Sequence, residues 1–447
     1  MPDRTVLILE PESSGVDLIP AALALGFGVH IGDRRAVHEL PTAIREAVAA
    51  GTAAHHQVDT RSAGAVADMA AALARRTEVA AVVPGFEYSI PTASAVAQRL
   101  GLPGITPRSA ELLRDKRRMK QALAGRGVKV AGGVPIAVER ADDSLLKDVV
   151  RRVGFPAVVK PVNGSGSLRV RRVEDFAELC DQVELSRREP LDDLGLSIGG
   201  RLLVESYVTG PEVSVEGYVA DGTVRVVAVT EKQLGPEPHF VEIGHIVDAG
   251  LEPETRAEVE RITRAAVQAL GLHVGAFHLE ARLTSSGPVV IEVAARLGGD
   301  RIPELVAASS GFDLPRAMIQ ALAGLPVTPP DAGGRPRVAG VRFFTVPHPA
   351  VLGDPDRLVR RISAVPGCRA ASVGPEAGAA LRPATDFRDR FGHAVLVADD
   401  RRTLDAALAQ VDTHVEQAVR ADAGEAASAR VDALAGKATG GTTACVF

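Results

Sequence analysis

Apolar and polar positions follow two different periods along this chain, and the changes of period mark its organisation. TVLILE (5–10), GVHIG (28–32) and EVAAVVPG (78–85) are short, nearly continuous apolar runs. A helix-like segment, DLIPAALALG, follows the first of them, and another near 91–100 follows the last. Strands that alternate with helices predict a parallel sheet. RDKRRMKQALAGRG (114–127) predicts a short amphipathic helix stopped by glycine. Residues 154–173 predict strand, loop and strand, then a helix near 174–186 and a polar segment to about 200. From 201 to 232 the pattern is β-rich, with Asp221-Gly222 as a hairpin turn. A helix over 252–271, two strands, helices to about 324, and short strands and turns over 337–400 follow. An Ala- and Gly-rich tail begins near 421, and no internal repeat is present.

Composition narrows the class. A chain of 447 residues implies two to four domains. The apolar (46%) and charged (24%) fractions are those of a soluble globular enzyme. A net charge of −5, with no basic stripe interleaved with aromatics, argues against a nucleic-acid partner. Cys180, Cys368 and Cys445 are odd in number and widely spaced. They point to a reducing cytoplasm rather than to disulfides or a zinc site. The first residues, MPDRTVLILE, show no signal peptide, and no apolar run reaches the roughly 18 residues of a membrane helix. Basic residues total 51, and the lysines among them are only Lys116, Lys120, Lys129, Lys147, Lys160, Lys232 and Lys437. In a chain that prefers arginine, a lysine in an apolar strand is a candidate for chemistry.

Three stretches carry candidate chemistry. PVNGSGS follows a strand ending in Lys160, and the next residues look like a strand rather than the helix of a dinucleotide fold. The loop therefore suits a hairpin lid whose backbone N–H groups cover phosphates; alone, it is equally an ordinary hairpin loop. PESSG (11–15) lacks the P-loop lysine and is taken as a plain turn lining a domain cleft. VESYVTGPEVSVE sets Glu205 and Glu212 seven residues apart across a turn. A strand edge between two carboxylates suits an adenosine, although two solvated glutamates would look the same. In AFHLEARLTSSGPVVIEVAAR (276–296), a three-residue loop Ser285-Ser286-Gly287 would place Glu280 opposite Glu292 and His278 opposite Ala294. A two- or four-residue loop would offset the carboxylates by one position. Facing carboxylates repel, and a divalent cation between them removes the difficulty; oxygen-only ligands suit Mg²⁺.

In this order, the motifs resemble those of the ATP-grasp carboxylate–amine ligases over about residues 1–410. The resemblance implies an α/β ATP-grasp fold. Its parts would be an N-terminal Rossmann-like parallel-sheet domain (1–113), a small mobile α+β lid subdomain (114–204), a large antiparallel-sheet subdomain with the metal site (205–330) and a C-terminal α+β subdomain (331–420), before a loose tail (421–447). By the same resemblance Lys116 and Lys160 contact nucleotide phosphates, and Gly164, Ser165, Gly166 and Ser167 form the lid. Glu205 and the Tyr207–Val208 backbone hold adenine, Glu212 holds ribose, and Glu280 and Glu292 bind Mg²⁺, with Mn²⁺ as an alternative. The commonest form of the family has E-x-N where this chain has Glu292 and Ala294. The E-x-A-A-R form after an H-x-E strand is similar to L-amino-acid ligases of the bacilysin-synthetase type. That subgroup's pocket maps to Glu242, His245, His278, Arg296, Gly298, Gly299 and Asp300.

The implied activity is ATP-dependent joining of a carboxylate, an amino acid, to the amine of another, through an acyl phosphate with release of ADP and phosphate. Lys160 and Arg296 are the expected catalytic residues, with Arg296 stabilising the oxyanion. Asp300 is expected to shape the pocket for a larger or cationic amino acid, and Glu87 and Tyr88 to reach the cleft from the first domain. The expected partners are small-molecule substrates, with no nucleic acid or membrane, in a cytoplasmic homodimer. Two rivals stay open: a purine-pathway carboxylase-type ATP-grasp ligase, and a non-catalytic nucleotide-binding protein.

Overall fold

The apolar runs at the start of the chain lie side by side in the computed structural model, which describes residues 3–189, 191–194, 196–198, 200–329 and 337–421. They form a parallel sheet in the order Ala53–Gln57, Gly28–Asp33, Arg4–Leu9, Glu78–Pro84. Val6 to Leu9 are fully buried in its middle. The pattern of apolar runs misses the strand Ala53–Gln57, AAHHQ. It is an edge strand, half exposed, so no continuous apolar stretch announces it. The tail expected over 421–447, with Cys445, lies beyond Ala421 outside the described residues.

Two antiparallel sheets follow. The smaller runs Gly133–Ala137, Arg201–Ser206, Ala157–Pro161, Arg171–Val173. Helices Asp143–Val153 and Phe176–Arg188 pack their apolar sides on it. The larger has eight strands in the order Gly287–Ala294, Gly275–Thr284, Glu212–Ala220, Thr223–Leu234, Glu242–Val247, Val338–Phe344, Gly392–Ala398, Cys368–Val373. Val338–Phe344 pairs directly with Glu242–Val247, so three of the strands after 337 extend this sheet, while Ala350–Leu352, Ala380–Leu381 and Val419–Ala421 form a small sheet of their own. Helix Pro253–Ala269 covers one part of it, and Pro355–Ser363 and Arg401–Ala418 cover another. No helix of the described residues is long and apolar enough to cross a membrane.

The hairpin at 275–294 reaches its expected register by a different route. Its loop has two residues, with Thr284 paired to Gly287 and Leu283 to Pro288. That alone would offset the two glutamates. A bulge at Ile291, between the pairs Ala281–Val290 and Glu280–Glu292, inserts one residue and restores the opposition. Glu280 faces Glu292, and His278 faces Ala294. The other hairpin turn is as expected, with Asp221 (φ 49°) and Gly222 (φ 70°) both left-handed.

Gly210 joins the small sheet to the large one and so sets where Glu212 begins its strand. Its φ is 123°, and a Cβ there would lie 2.1 Å from the Leu283 carbonyl oxygen. Gly210→Ala is expected to destabilise the protein by about 1–3 kcal/mol, from backbone strain and collision together. A chemical-denaturation midpoint equal to that of the wild type would refute the constraint.

Candidate active site

One cavity of about 440 Å³ lies where the first sheet's loops, the small sheet, the large sheet and the 387–393 segment converge. The residues singled out from the sequence line it, except Gly298, Glu87 and Tyr88. Gly298 lies just behind the wall: a Cβ there would stand 2.8 Å from Glu216 Oε2 and 3.0 Å from His278 Nδ1. Only glycine lets this loop close over that pair.

At the end between the two antiparallel sheets, Lys160 projects from Ala157–Pro161 and Lys120 from the helix Lys116–Ala124. Both reach Glu205, at 2.7 and 2.8 Å, and all three are buried. Burial pushes the Lys120 ammonium down to about 8, although Glu205 opposes the shift. Glu205 thus serves first as a counterion, and Lys120 escapes the motif pattern because it lies one helical turn beyond Lys116. The next residues offer a hinge. The Tyr207 N–H donates to Pro156 and the Val208 carbonyl accepts from Arg282 (2.6 Å). The Tyr207 carbonyl and the Val208 N–H have no protein partner among the described residues, the pair of groups an adenine edge requires. Glu212 is held by Lys232 (2.9 Å) and by Arg282 (3.0 Å).

The middle of the cavity is a set of buried charges. Lys232, on Thr223–Leu234, contacts Glu212, Glu242 and Glu280 at 2.9, 2.8 and 2.7 Å. Burial disfavours its charge, but the three carboxylates hold its pKa well above the ordinary lysine value. Lys116 contacts Glu292 (2.8 Å) and donates to the lid carbonyl of Gly164 (2.7 Å). His278 donates through Nδ1 to Glu216 (2.9 Å), and its Nε2 lies 3.3 Å from Glu280. Burial would lower its pKa, yet Glu216 and Glu280 raise it to about 10. Its two carboxylate neighbours thus favour the protonated form of His278 in the metal-free site. Glu280 and Glu292 present hard oxygens to the cavity, and their cations are flexible lysine ends, so the pair fits Mg²⁺.

At the third end, Glu242 and His245 come from one strand and Asp300 from the loop after Arg296. His245 Nε2 lies 3.2 Å from Asp300 and 3.6 Å from Glu242. Arg390 grips Asp300 through two bonds of 2.8 Å and stacks 3.8 Å from the centre of the Phe343 ring. Burial opposes a charge on Asp300, but Arg390 and His245 hold its pKa well below the usual carboxylate range. The Asp300 charge is thus already neutralised from the C-terminal segment. These three side chains lie close enough for a metal ion. Lys232 and Arg390 already supply its positive charge.

Arg296 donates to Glu87 (2.7 Å) and to the Leu297 carbonyl (2.7 Å). Burial would raise the Glu87 pKa, but Arg296, Arg114 and Lys116 hold it at about 2. Glu87 and Tyr88 stand behind the cavity wall, which Phe86 forms instead. The residues that motif matching overlooks are Lys120, Glu216, Lys232, Arg282 and Arg390. The scarcity of lysine was the available signal for the first and third.

Residues 153–304 match the ATP-grasp domain, and residues 342–420 match the L-amino acid ligase C-terminal domain 2. The chain thus contains an ATP-grasp domain and an L-amino acid ligase C-terminal domain, and it has the ATP-grasp fold. Its fold is similar to that of an L-amino acid ligase from Bacillus licheniformis, with a TM-score of 0.74 at 22% identity, over 93% of this chain and 98% of that one. Among curated proteins, Uncharacterized protein y4rH of Sinorhizobium fredii is 29% identical over 79% of this chain and 71% of its own length. Alanine–anticapsin ligase of Bacillus subtilis is 24% identical over 54% of this chain, which spans only 53% of that enzyme.

Removing one partner from a buried charge set leaves the rest uncompensated. Lys232→Met is expected to cost about 3–5 kcal/mol of stability, because three buried carboxylates lose their shared cation. Urea denaturation of the variant measures it, and a change under about 1 kcal/mol would contradict the role given to Lys232.

Proposed function

We propose that this protein is an ATP-dependent ligase that joins the carboxylate of one amino acid to the amine of another. The observation that carries the proposal is the convergence, in one cavity, of lysines suited to phosphates, two opposed carboxylates and a separate Glu–His–Asp–Arg pocket. The match to an L-amino acid ligase C-terminal domain supports the same reaction class.

In this mechanism Lys116 and Lys160 bind the nucleotide phosphates, and the Gly164–Ser167 lid covers them. Glu212 holds the ribose, and Tyr207 and Val208 hold the adenine. Glu280 and Glu292 would hold Mg²⁺, which when bound supplies charge for phosphoryl transfer. The donor carboxylate takes the γ-phosphoryl group to give an acyl phosphate, and the acceptor amine then displaces phosphate from the acyl carbon. Arg296, kept in place by Glu87, faces the cavity as the cation for the oxyanion of that second step. A contact of this kind is worth about 10²–10³ in rate. The lid packs against Phe387, whose ring carbons lie 3.2–3.3 Å from where a Gly166 Cβ would be, and this closure shields the acyl phosphate from water.

Mixing the protein with ATP, Mg²⁺ and pooled amino acids is expected to release ADP and phosphate only when amino acids are present. Mass spectrometry of substrate pairs would then identify the product. Absence of amino-acid-dependent ADP formation with every pair would overturn the proposal. Glu292→Gln is expected to abolish turnover while leaving the circular dichroism and melting profile of a folded protein. Near-normal activity in that variant would remove Glu292 from the metal site.

A further inference from the structure

The first domain contributes a wall to the cavity through the one-turn helix Ser13–Asp17, which follows the strand Arg4–Leu9. Its position is rigidly set. A Cβ on Gly15 would lie 1.9 Å from the Gly85 carbonyl oxygen, so the two loops pack backbone to backbone. Two polar side chains on this wall have no task in the chemistry described so far. Ser14 is 5% exposed and lines the cavity, and its buried hydroxyl has no hydrogen-bond partner among the described residues. Leaving a buried hydroxyl without a partner is costly, so such groups usually have one. Asp17 lines the same cavity and forms no hydrogen bond or ion pair among the described residues.

The neighbouring carboxylates differ from Asp17. Glu12 is paired with Arg35, Glu242 with Lys232, Asp300 with Arg390 and Glu304 with Arg301. Asp193 accepts from the Tyr88 hydroxyl. Arg301 is committed to Glu304 and acts on Asp17 only from beyond ion-pair distance. Burial, with Glu304 and then Asp313 adding negative charge, pushes the Asp17 pKa up to about 6 against the pull of Arg301. The wall therefore lacks a cation and a hydrogen-bond partner side by side, in a cavity whose other charges are matched.

We propose that Asp17 and Ser14 form a subsite for the cationic side-chain group of an amino-acid substrate, so that the protein selects a basic amino acid over its neutral isostere. The inference rests on the ligase reading above and names the substrate class for it. It also relocates the acidic determinant: Asp300, the acidic residue at the pocket position, is closed by Arg390, whereas the Asp17 carboxylate has no such partner. An ammonium or guanidinium group would donate charge-assisted hydrogen bonds to the Asp17 carboxylate and to the Ser14 hydroxyl oxygen.

The test compares lysine with norleucine and arginine with citrulline, each with a panel of second amino acids. The wild type is expected to prefer the basic member by about tenfold or more in kcat/KM, chiefly through KM, as one charge-assisted contact implies. Asp17→Asn should lose that preference, and Asp17→Glu should restore part of it. The preference should grow as pH rises through about 6, where the Asp17 carboxyl ionises, and should stay flat in Asp17→Asn. Glu304, Arg301 and Asp313, the other charged groups acting on it, are unchanged in that variant. A neutral-substrate preference in the wild type, or an unchanged preference in Asp17→Asn, would overturn the subsite. Calorimetric binding of lysine and norleucine, with a non-hydrolysable ATP analogue present, judges the subsite apart from turnover. If no amino acid supports ADP formation, the ligase reading falls. The subsite then stands or falls on whether lysine binds wild type more tightly than norleucine and Asp17→Asn does not.

Discussion

Lys232 is the charge on which the cavity depends. Three carboxylates from three different strands converge on its ammonium, and each would be costly to bury alone. One lysine thereby joins the end proposed for the nucleotide, through Glu212, to the pair fitted for metal, through Glu280, and to the amino-acid end, through Glu242. Lys120 and Lys160 solve the same problem around Glu205, and Lys116 solves it at Glu292. The architecture can hold this many acids because each is answered by a cation on a neighbouring element. Lys116 has a further consequence. Its single ammonium touches the lid carbonyl of Gly164 and the carboxylate of Glu292, so the closed lid and the acidic hairpin share one counterion. In the ligase reading, Glu292 would hold a divalent cation, and the Lys116 ammonium would then be available to a phosphate.

Much of this was legible in the sequence because chemistry had narrowed the choices. In an arginine-rich chain, Lys116, Lys120, Lys160 and Lys232 are each at most 6% exposed. Arginine is bulky, planar and always charged, whereas lysine offers a compact charge at the end of a slender stem that fits between strands. The ordered motifs likewise placed the singled-out residues on one cavity, apart from Gly298, Glu87 and Tyr88 just behind its wall. What could not be read were partners distant in sequence. Arg390 meets Asp300 across 90 residues and Glu216 meets His278 across 62, and no local period encodes either contact. The edge strand Ala53–Gln57 escaped for a different reason, since one exposed side leaves no apolar run to see. The hairpin is the most instructive case. Its loop is one residue shorter than the three assumed, and the bulge at Ile291 restored the opposition, so the right register followed from a wrong turn.

The same register explains why residue 294 is small. Ala294 is 2% exposed and faces His278 across the strand pair, while Gly298 closes over the Glu216–His278 contact with no room for a Cβ. Behind the two opposed glutamates there is thus a buried histidine paired with its own carboxylate, and the chain covers it with alanine and glycine. A larger polar residue at 294 would face that ion pair and compete for its volume and hydrogen bonds. The small residue at 294 and the buried Glu216–His278 pair are consequently two sides of one packing solution. His278 also faces Glu280 and holds that carboxylate ionised, well below its ordinary pKa, with Lys232 as the larger influence against burial. An ionised Glu280 is what a hard cation requires, so the alanine removes one potential ligand while the residues it accommodates keep another in its charged form.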